Sequence, residues 1–181
     1  VLFSKAFQTI SASKLPSGRM VELVSRLAKA CVDVCEGQLL DISMAEAKKI
    51  PSQSEYIEMI SKKTAALFDV SCSMGAICSK GKVKDVSNLS SFGKNLGIAF
   101  QITDDLIGVM GDSKVTKKPV GNDLREGKKS LPILLAIKKA KGKDKQAILK
   151  CFGNSKANKK DLEKAVKAIR SLGIEDLNTV V

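Results

Sequence analysis

The sequence predicts an all-α protein, a bundle of about six or seven helices. Apolar residues recur at intervals of three and four along most of the 181-residue chain, which is the period of an amphipathic helix. No run alternates apolar and polar residues as a half-buried strand does, and the sequence has no internal repeat. Amphipathic helices bury their apolar stripes against one another, so residues 1–181 are expected to form a single helical domain.

The elements follow in chain order from these stripes and from the segments between them. The stripes of the first three helices consist of Leu2, Ala6 and Ile10, then Met20, Leu23, Leu27, Ala30 and Val34, then Tyr56, Ile60, Leu67 and Val70. Segments rich in Pro, Gly, Ser and Lys indicate loops at 13–18, 50–54, 79–85 and 111–130. Residues 97–112 form part of a further helix, and residues 141–181 are predicted to form basic, amphipathic C-terminal helices.

The composition excludes several kinds of chemistry. There is no His, so imidazole bases, His-ligated metals and Ser/His/Asp triads are excluded. The 5 cysteines are odd in number and form no CxxC pair, which argues against a disulfide framework or a zinc site. All five are interpreted as small buried residues of a reduced, cytoplasmic protein. No apolar run approaches the roughly 18 residues of a membrane-spanning helix, so no stable membrane insertion is expected.

The net charge of +12 lies almost wholly in the last third of the chain. Residues 113–181 carry 18 Lys and Arg against 7 Asp and Glu, whereas residues 1–112 carry 13 against 12. Such a field attracts nucleic acid, anionic membranes or small phosphorylated substrates. Phe152 is the only aromatic residue of that third, so nucleic-acid bases would find little to stack on, and a nucleic-acid-binding protein is the weaker alternative.

Two adjacent carboxylates and an amide occur in the predicted helix 97–112. Gln101 shares a helix face with Asp104 and Asp105, at spacings of three and four residues. The helix is otherwise mostly apolar, and a buried carboxylate needs a partner, so a cation is expected opposite Asp104. An exposed charge pair at a helix end is the alternative.

Lysines near this helix in sequence complete a candidate anion site. Lys118 and Lys128 bracket a Pro-Val-Gly turn that Pro119 and Gly121 can make rigid. An acidic helix followed by a rigid basic loop suits a polyphosphate held through Mg²⁺ by the carboxylates and directly by the lysines. Lys63 falls on the apolar stripe of the third helix, so its ammonium group either reaches the surface or meets an anion.

Four segments together resemble one family, the trans-isoprenyl diphosphate synthases or polyprenyl synthetases. They are FQITDD with a following GD, KKPVGNDLREGKKSLP, KKTAALF and EGQLLD, and the resemblance runs from about residue 1 to about residue 140. It implies an all-α bundle around a deep cavity, a Mg²⁺-dependent cytoplasmic homodimer, and an active-site loop at 111–130. The implied reaction joins an allylic diphosphate head-to-tail to isopentenyl diphosphate, as in geranylgeranyl or polyprenyl diphosphate synthases.

The resemblance also implies roles for single residues. Asp104 and Asp105 match the start of the second aspartate-rich motif, which binds Mg²⁺ to the allylic diphosphate, and Gln101 matches the glutamine one turn earlier. Lys63 and Thr64 match a pair that contacts the same diphosphate. Lys63 and Asp104 are the implied catalytic residues.

Two further pairs match less central parts of the family pattern. Lys118 and Lys128 match the loop lysines that hold the leaving diphosphate, and Gln38 and Asp41 match a cavity-facing pair.

Two departures from the family pattern stand out. The DDxxD motif ends in Gly108 instead of Asp, which removes one carboxylate from the helix face. The first aspartate-rich motif has no counterpart here, and the chain starts at Val1 within an apolar pattern, so we expect a fragment that is inactive by itself. A non-catalytic subunit or partner of such a synthase is the alternative, and these residues do not determine product length.

Overall fold

The structure is a computed structural model that describes residues 1–111 and 120–174. It confirms the all-α prediction, because the described residues form helices and no strand. The α-helices are α1 (Leu2–Ser11), α2 (Ser17–Glu46), α3 (Gln53–Ile60), α4 (Ala66–Cys78), α5 (Val83–Met110), α6 (Asn122–Glu126), α7 (Leu131–Lys139), α8 (Gly142–Cys151) and α9 (Lys159–Ser171). A π-helical turn, Ser61–Ala65, joins α3 to α4 without a break.

The chain divides into two compact units. The first consists of Val1–Asp41 and Ile57–Ala99, and the second of Ile42–Tyr56 and Phe100–Val181. Within the described ranges, no helix is both long and apolar enough to cross a bilayer.

Local hydrogen bonds fix the start of α3. The backbone N–H of Ser52 donates to the Glu55 carboxylate over 2.6 Å, and the N–H of Glu55 donates to Ser52 Oγ over 3.2 Å. This reciprocal pair is a capping box, which satisfies amide groups that the first turn of a helix leaves unpaired. The backbone and side-chain hydrogen bonds from Ser52 lower the pKa of Glu55 to about 2.

Close helix contacts in the first unit depend on glycines. A β-carbon at Gly37 of α2 would lie 2.6 Å from Lys63 Cα in the π-helical turn, and one at Gly97 of α5 would lie 2.6 Å from Ala65 Cα. Carbon atoms in contact are about 3.5–4.0 Å apart, so only residues without a side chain allow these approaches. The π-helical turn is thus packed between the backbones of α2 and α5.

The core of the second unit forms around α7. This helix begins at Leu131 and has Pro132 in its first turn. It buries residues on all sides: Leu131, Pro132, Ile133, Leu134, Ala136 and Ile137. A helix that is apolar all round lies inside a domain. Val109 and Met110, at the end of α5, belong to the same cluster of buried residues.

Several details differ from the sequence-based expectations, beginning with the nine α-helices that the described residues form where about six or seven were expected. The predicted loop 111–130 contains a short helix, α6, while residues 112–119 lie outside the described residues. Helix α5 begins at Val83, inside the predicted loop 79–85. The prediction of five buried cysteines was wrong, because Cys151 alone is buried while Cys35 and Cys78 are exposed. All five cysteines are free thiols, and helical periodicity alone does not determine which helix faces a neighbour covers.

Candidate active site

Asp105 is the most deeply buried charged group among the described residues, with its side chain 2% exposed. Three donors surround its carboxylate. Tyr56 Oη donates to Oδ2 over 2.5 Å, while Gln101 Nε2 and Lys128 Nζ donate to Oδ1 over 3.1 and 2.8 Å. A buried carboxylate without partners would cost several kcal/mol, roughly the difference between a folded and an unfolded domain. Asp105 is therefore fully engaged by protein groups.

The end of α6 determines where Lys128 lies. Gly127, with φ of 73°, ends the helix in the left-handed region, where only glycine is free of strain. The N–H of Gly127 donates to the carbonyl of Leu124, and the N–H of Lys128 donates to the carbonyl of Asp123. These two bonds form a Schellman motif, which fixes the path of the chain beyond the helix.

Two carboxylates contact the Lys128 ammonium group. It lies 2.8 Å from Asp105 Oδ1 and 3.3 Å from Asp123 Oδ2. Burial acts to lower the pKa of Lys128, but the hydrogen bond and charge of Asp105, together with those of Asp123, outweigh it and raise that pKa above its ordinary value. Lys128 therefore stays cationic at neutral pH.

The next residue, Lys129, anchors this segment in a different way. Its ammonium group donates to the backbone carbonyls of Met44, Ala47 and Lys49, at 2.5, 2.5 and 3.2 Å. The last carbonyls of a helix lack partners within the helix, and a lysine can satisfy them. Adjacent lysines thus have separate roles: Lys128 faces a carboxylate, and Lys129 caps the end of α2.

Asp104 differs sharply from its neighbour Asp105. Its side chain is exposed, and no group of residues 1–111 or 120–174 hydrogen-bonds or ion-pairs with its carboxylate. We expected a cation opposite Asp104, on the premise that this carboxylate is buried. The buried carboxylate is instead Asp105, and Lys128 lies against it.

A second polar group lies in the first unit, at the π-helical turn. Lys63 Nζ is 2.5 Å from Asp41 Oδ2, and both side chains are about one-third exposed. Lys62 pairs with Glu36 at 2.7 Å. Gly37 lies between these two acidic residues in sequence and touches the backbone of the turn. The motif EGQLLD therefore holds the turn by one backbone contact and two ion pairs.

The remaining predicted residues are placed as follows. Gln38 is exposed on α2, and Thr64 is half-buried in the π-helical turn. Lys118 lies outside the described residues. The structure thus brings Gln101, Asp105 and Lys128 together in the second unit, and Lys63 with Asp41 in the first.

Sequence reasoning missed three residues of these groups. Tyr56 was counted as part of an apolar stripe, yet its hydroxyl reaches Asp105, which is 49 positions away. Nothing in the local sequence indicates such a distant partner. Asp123 could have been found, because a carboxylate five residues before Lys128 is brought back to it by the Gly127 turn. The sequence pattern does not show that the adjacent lysines Lys128 and Lys129 have different partners.

Comparison with known proteins identifies the family. The family model described as polyprenyl synthetase matches residues 1–169. A geranylgeranyl diphosphate synthase of Sulfolobus acidocaldarius is 37% identical over 177 residues, which are 97% of this chain and 53% of that protein.

Solved structures agree with this result. A geranylgeranyl pyrophosphate synthetase of Pyrococcus horikoshii matches with a TM-score of 0.85 and 38% identity, over 97% of this chain and 53% of that one. A geranylgeranyl pyrophosphate synthase of Corynebacterium glutamicum, complexed with isoprenyl diphosphate and magnesium, matches with a TM-score of 0.78 and 30% identity. The match covers 90% of this chain and 46% of that one. The chain spans about half the length of the relatives it matches. It belongs to the polyprenyl synthetase family.

Proposed function

We propose that the complete protein carrying these residues is a prenyl diphosphate synthase that condenses an allylic diphosphate with isopentenyl diphosphate, and that these 181 residues supply the part that binds the allylic diphosphate. The observation that carries this proposal is that the two adjacent aspartates lie in different environments. Asp105 is buried and bound to Lys128, while Asp104 is exposed. Family membership and the relative complexed with isoprenyl diphosphate and magnesium support the same function.

The chemistry of this reaction explains the residue types. Breaking the allylic C–O bond produces a carbocation and a diphosphate anion, so the site must stabilise negative charge that grows on the leaving group. Lysine ammonium groups that are already positioned do this without reorganising during the reaction. Lys63 and Lys128 are held by carboxylates at 2.5 and 2.8 Å, and Lys118, Thr64 and Gln101 are proposed diphosphate contacts by family resemblance.

The residues present fit a magnesium ion, and Asp104 is the proposed ligand. Mg²⁺ commonly binds through one or two carboxylates and completes its shell with waters and substrate phosphates, so a dense acidic cluster is not required. None is found among residues 1–111 and 120–174. Asp104 is exposed and has no protein partner there, whereas Asp105 is occupied by three donors. When bound, the ion would neutralise part of the diphosphate charge.

Within this proposal Asp105 has a different role from Asp104. Its two oxygens are engaged by Tyr56, Gln101 and Lys128, so it organises the site instead of presenting a free oxygen to the ion. Gln38 and Asp41 are proposed to face the substrate cavity, and Asp41 also fixes Lys63. The complete protein is proposed to act as a cytoplasmic homodimer, on the strength of the family resemblance.

The test is condensation of radiolabelled isopentenyl diphosphate with an allylic diphosphate by the complete protein in the presence of Mg²⁺. We expect Asp104→Ala and Lys63→Ala each to reduce turnover by about 100-fold or more, the usual effect of removing one group that stabilises developing charge. Lys94→Ala is the control, because it removes an exposed lysine of the same unit that does not hold the π-helical turn, and it should leave turnover unchanged. Full activity in both site variants would refute the proposal. Activity absent from the complete wild-type protein would favour a non-catalytic subunit.

A further inference from the structure

The glycine at position 108 leaves room for a carboxylate from another element. A β-carbon at Gly108 would lie 2.8 Å from Asp123 Cγ and 3.1 Å from Asp123 Oδ1. Carbon atoms in ordinary contact are about 3.5–4.0 Å apart, so a side chain at 108 and this position of the Asp123 carboxylate exclude each other. The carboxylate of α6 occupies the space in which a side chain of α5 would begin.

Asp123 is also tied to Lys128 at two points. Its backbone carbonyl accepts the Lys128 N–H over 2.9 Å, and its carboxylate lies 3.3 Å from the Lys128 ammonium group. The Asp123 side chain is 17% exposed, so this contact is partly shielded from water. Lys128 is therefore held by two carboxylates, Asp105 on α5 and Asp123 on α6.

From this geometry we infer that Asp123 is a positioning residue for Lys128, and that its carboxylate can take this position because residue 108 is a glycine. The inference rests on the proposed function, because Lys128 matters to it as a diphosphate ligand. Gly108 leaves the space from which the carboxylate of α6 reaches the lysine. It follows that positions 108 and 123 are coupled, and that a change at one acts through the other.

The test is a double-mutant cycle in the complete protein, with the Kd of inorganic pyrophosphate in the presence of Mg²⁺ as the first measurement. Asp123→Ala and Gly108→Ala should each weaken pyrophosphate binding by about threefold to tenfold, because each frees Lys128 from one of its two carboxylates. In the Asp123→Ala background, Gly108→Ala should have no further effect, since the space it enters is then vacant. The double variant Gly108→Asp, Asp123→Ala, which returns a carboxylate to the same space, should recover affinity to within about twofold of wild type.

A matched control separates this role from a general effect of charge. Glu126→Gln, on the same helix, removes a negative charge from an exposed side chain that does not contact Lys128, and it should leave pyrophosphate affinity unchanged. Asp123→Asn removes the same charge at the proposed position and should weaken binding as Asp123→Ala does. Equal effects of Glu126→Gln and Asp123→Asn would overturn the inference.

The thermal midpoint without ligand is a second measurement, which does not depend on activity. Gly108→Ala should lower it in the wild-type background and raise it in the Asp123→Ala background, because an unhindered alanine favours a helix more than glycine does. Strictly additive effects at positions 108 and 123 would overturn the inference while wild-type condensation remained intact. Failure of the proposed function would instead appear as no condensation and no pyrophosphate binding by the wild-type protein.

Discussion

Gly37→Ala should distort the π-helical turn that carries Lys63. The new β-carbon would lie 2.6 Å from Lys63 Cα and 2.8 Å from the carbonyl carbon of Lys62. Since carbon contacts are normally about 3.5–4.0 Å, the backbone of the turn would have to move by roughly 1 Å. Backbone atoms cannot rotate out of the way, so the cost belongs at the upper end of the range for overpacking, about 3 kcal/mol.

The helix preference of alanine offsets part of this cost. Replacing glycine by alanine inside a helix stabilises it by about 0.5–1 kcal/mol, so the net loss for Gly37→Ala is about 2 kcal/mol. Gly75→Ala is the matched control, because Gly75 is an exposed residue inside α4 and a β-carbon there would meet nothing within 4 Å. It should raise the free energy of unfolding by about 0.5–1 kcal/mol.

Urea unfolding and steady-state condensation by the complete protein measure both consequences. A displacement of about 1 Å at Lys63 should also reduce turnover by about 100-fold, since charge stabilisation depends on placement. Gly75→Ala should leave turnover unchanged. If Gly37→Ala were as stable and as active as Gly75→Ala, the close approach of α2 to the π-helical turn would not exist in the protein, and our account of how Lys63 is positioned would be wrong.

Two further predictions concern the buried carboxylate and the start of α3. Tyr56→Phe should lower the free energy of unfolding by about 1.5–3 kcal/mol in urea titrations, because it takes a hydrogen bond from the buried Asp105 carboxylate; an unchanged midpoint would contradict this. The capping carboxylate of Glu55 has a pKa of about 2 in the folded protein against 4.5 for the free side chain, so it contributes stability above about pH 4.5 that is lost as the pH falls towards 2. Glu55→Gln should remove this dependence, and parallel stability curves for the two proteins over that range would contradict it.

Much of the fold could be predicted from sequence because it depends on local patterns. The period of three and four gave the helical class, and the segments rich in Pro, Gly and Ser gave most of the breaks between helices. The π-helical turn could not be predicted, because the stripe from Tyr56 to Leu67 fits an ordinary helix. Its wider turn is stable next to Gly37 and Gly97, which are distant in sequence.

The sequence by itself determined which residues are available to the proposed diphosphate site: adjacent carboxylates one turn after a glutamine, and lysines in a glycine-containing loop and on a helix. Tertiary structure decided their separate roles. Consecutive residues of a helix point about 100° apart, so the packing of the helix determines that Asp105 is buried and Asp104 exposed. Packing likewise brings Tyr56 to Asp105 across 49 positions and directs Lys128 and Lys129 to different partners, because contacts between distant segments are set by the folded core and not by local pattern.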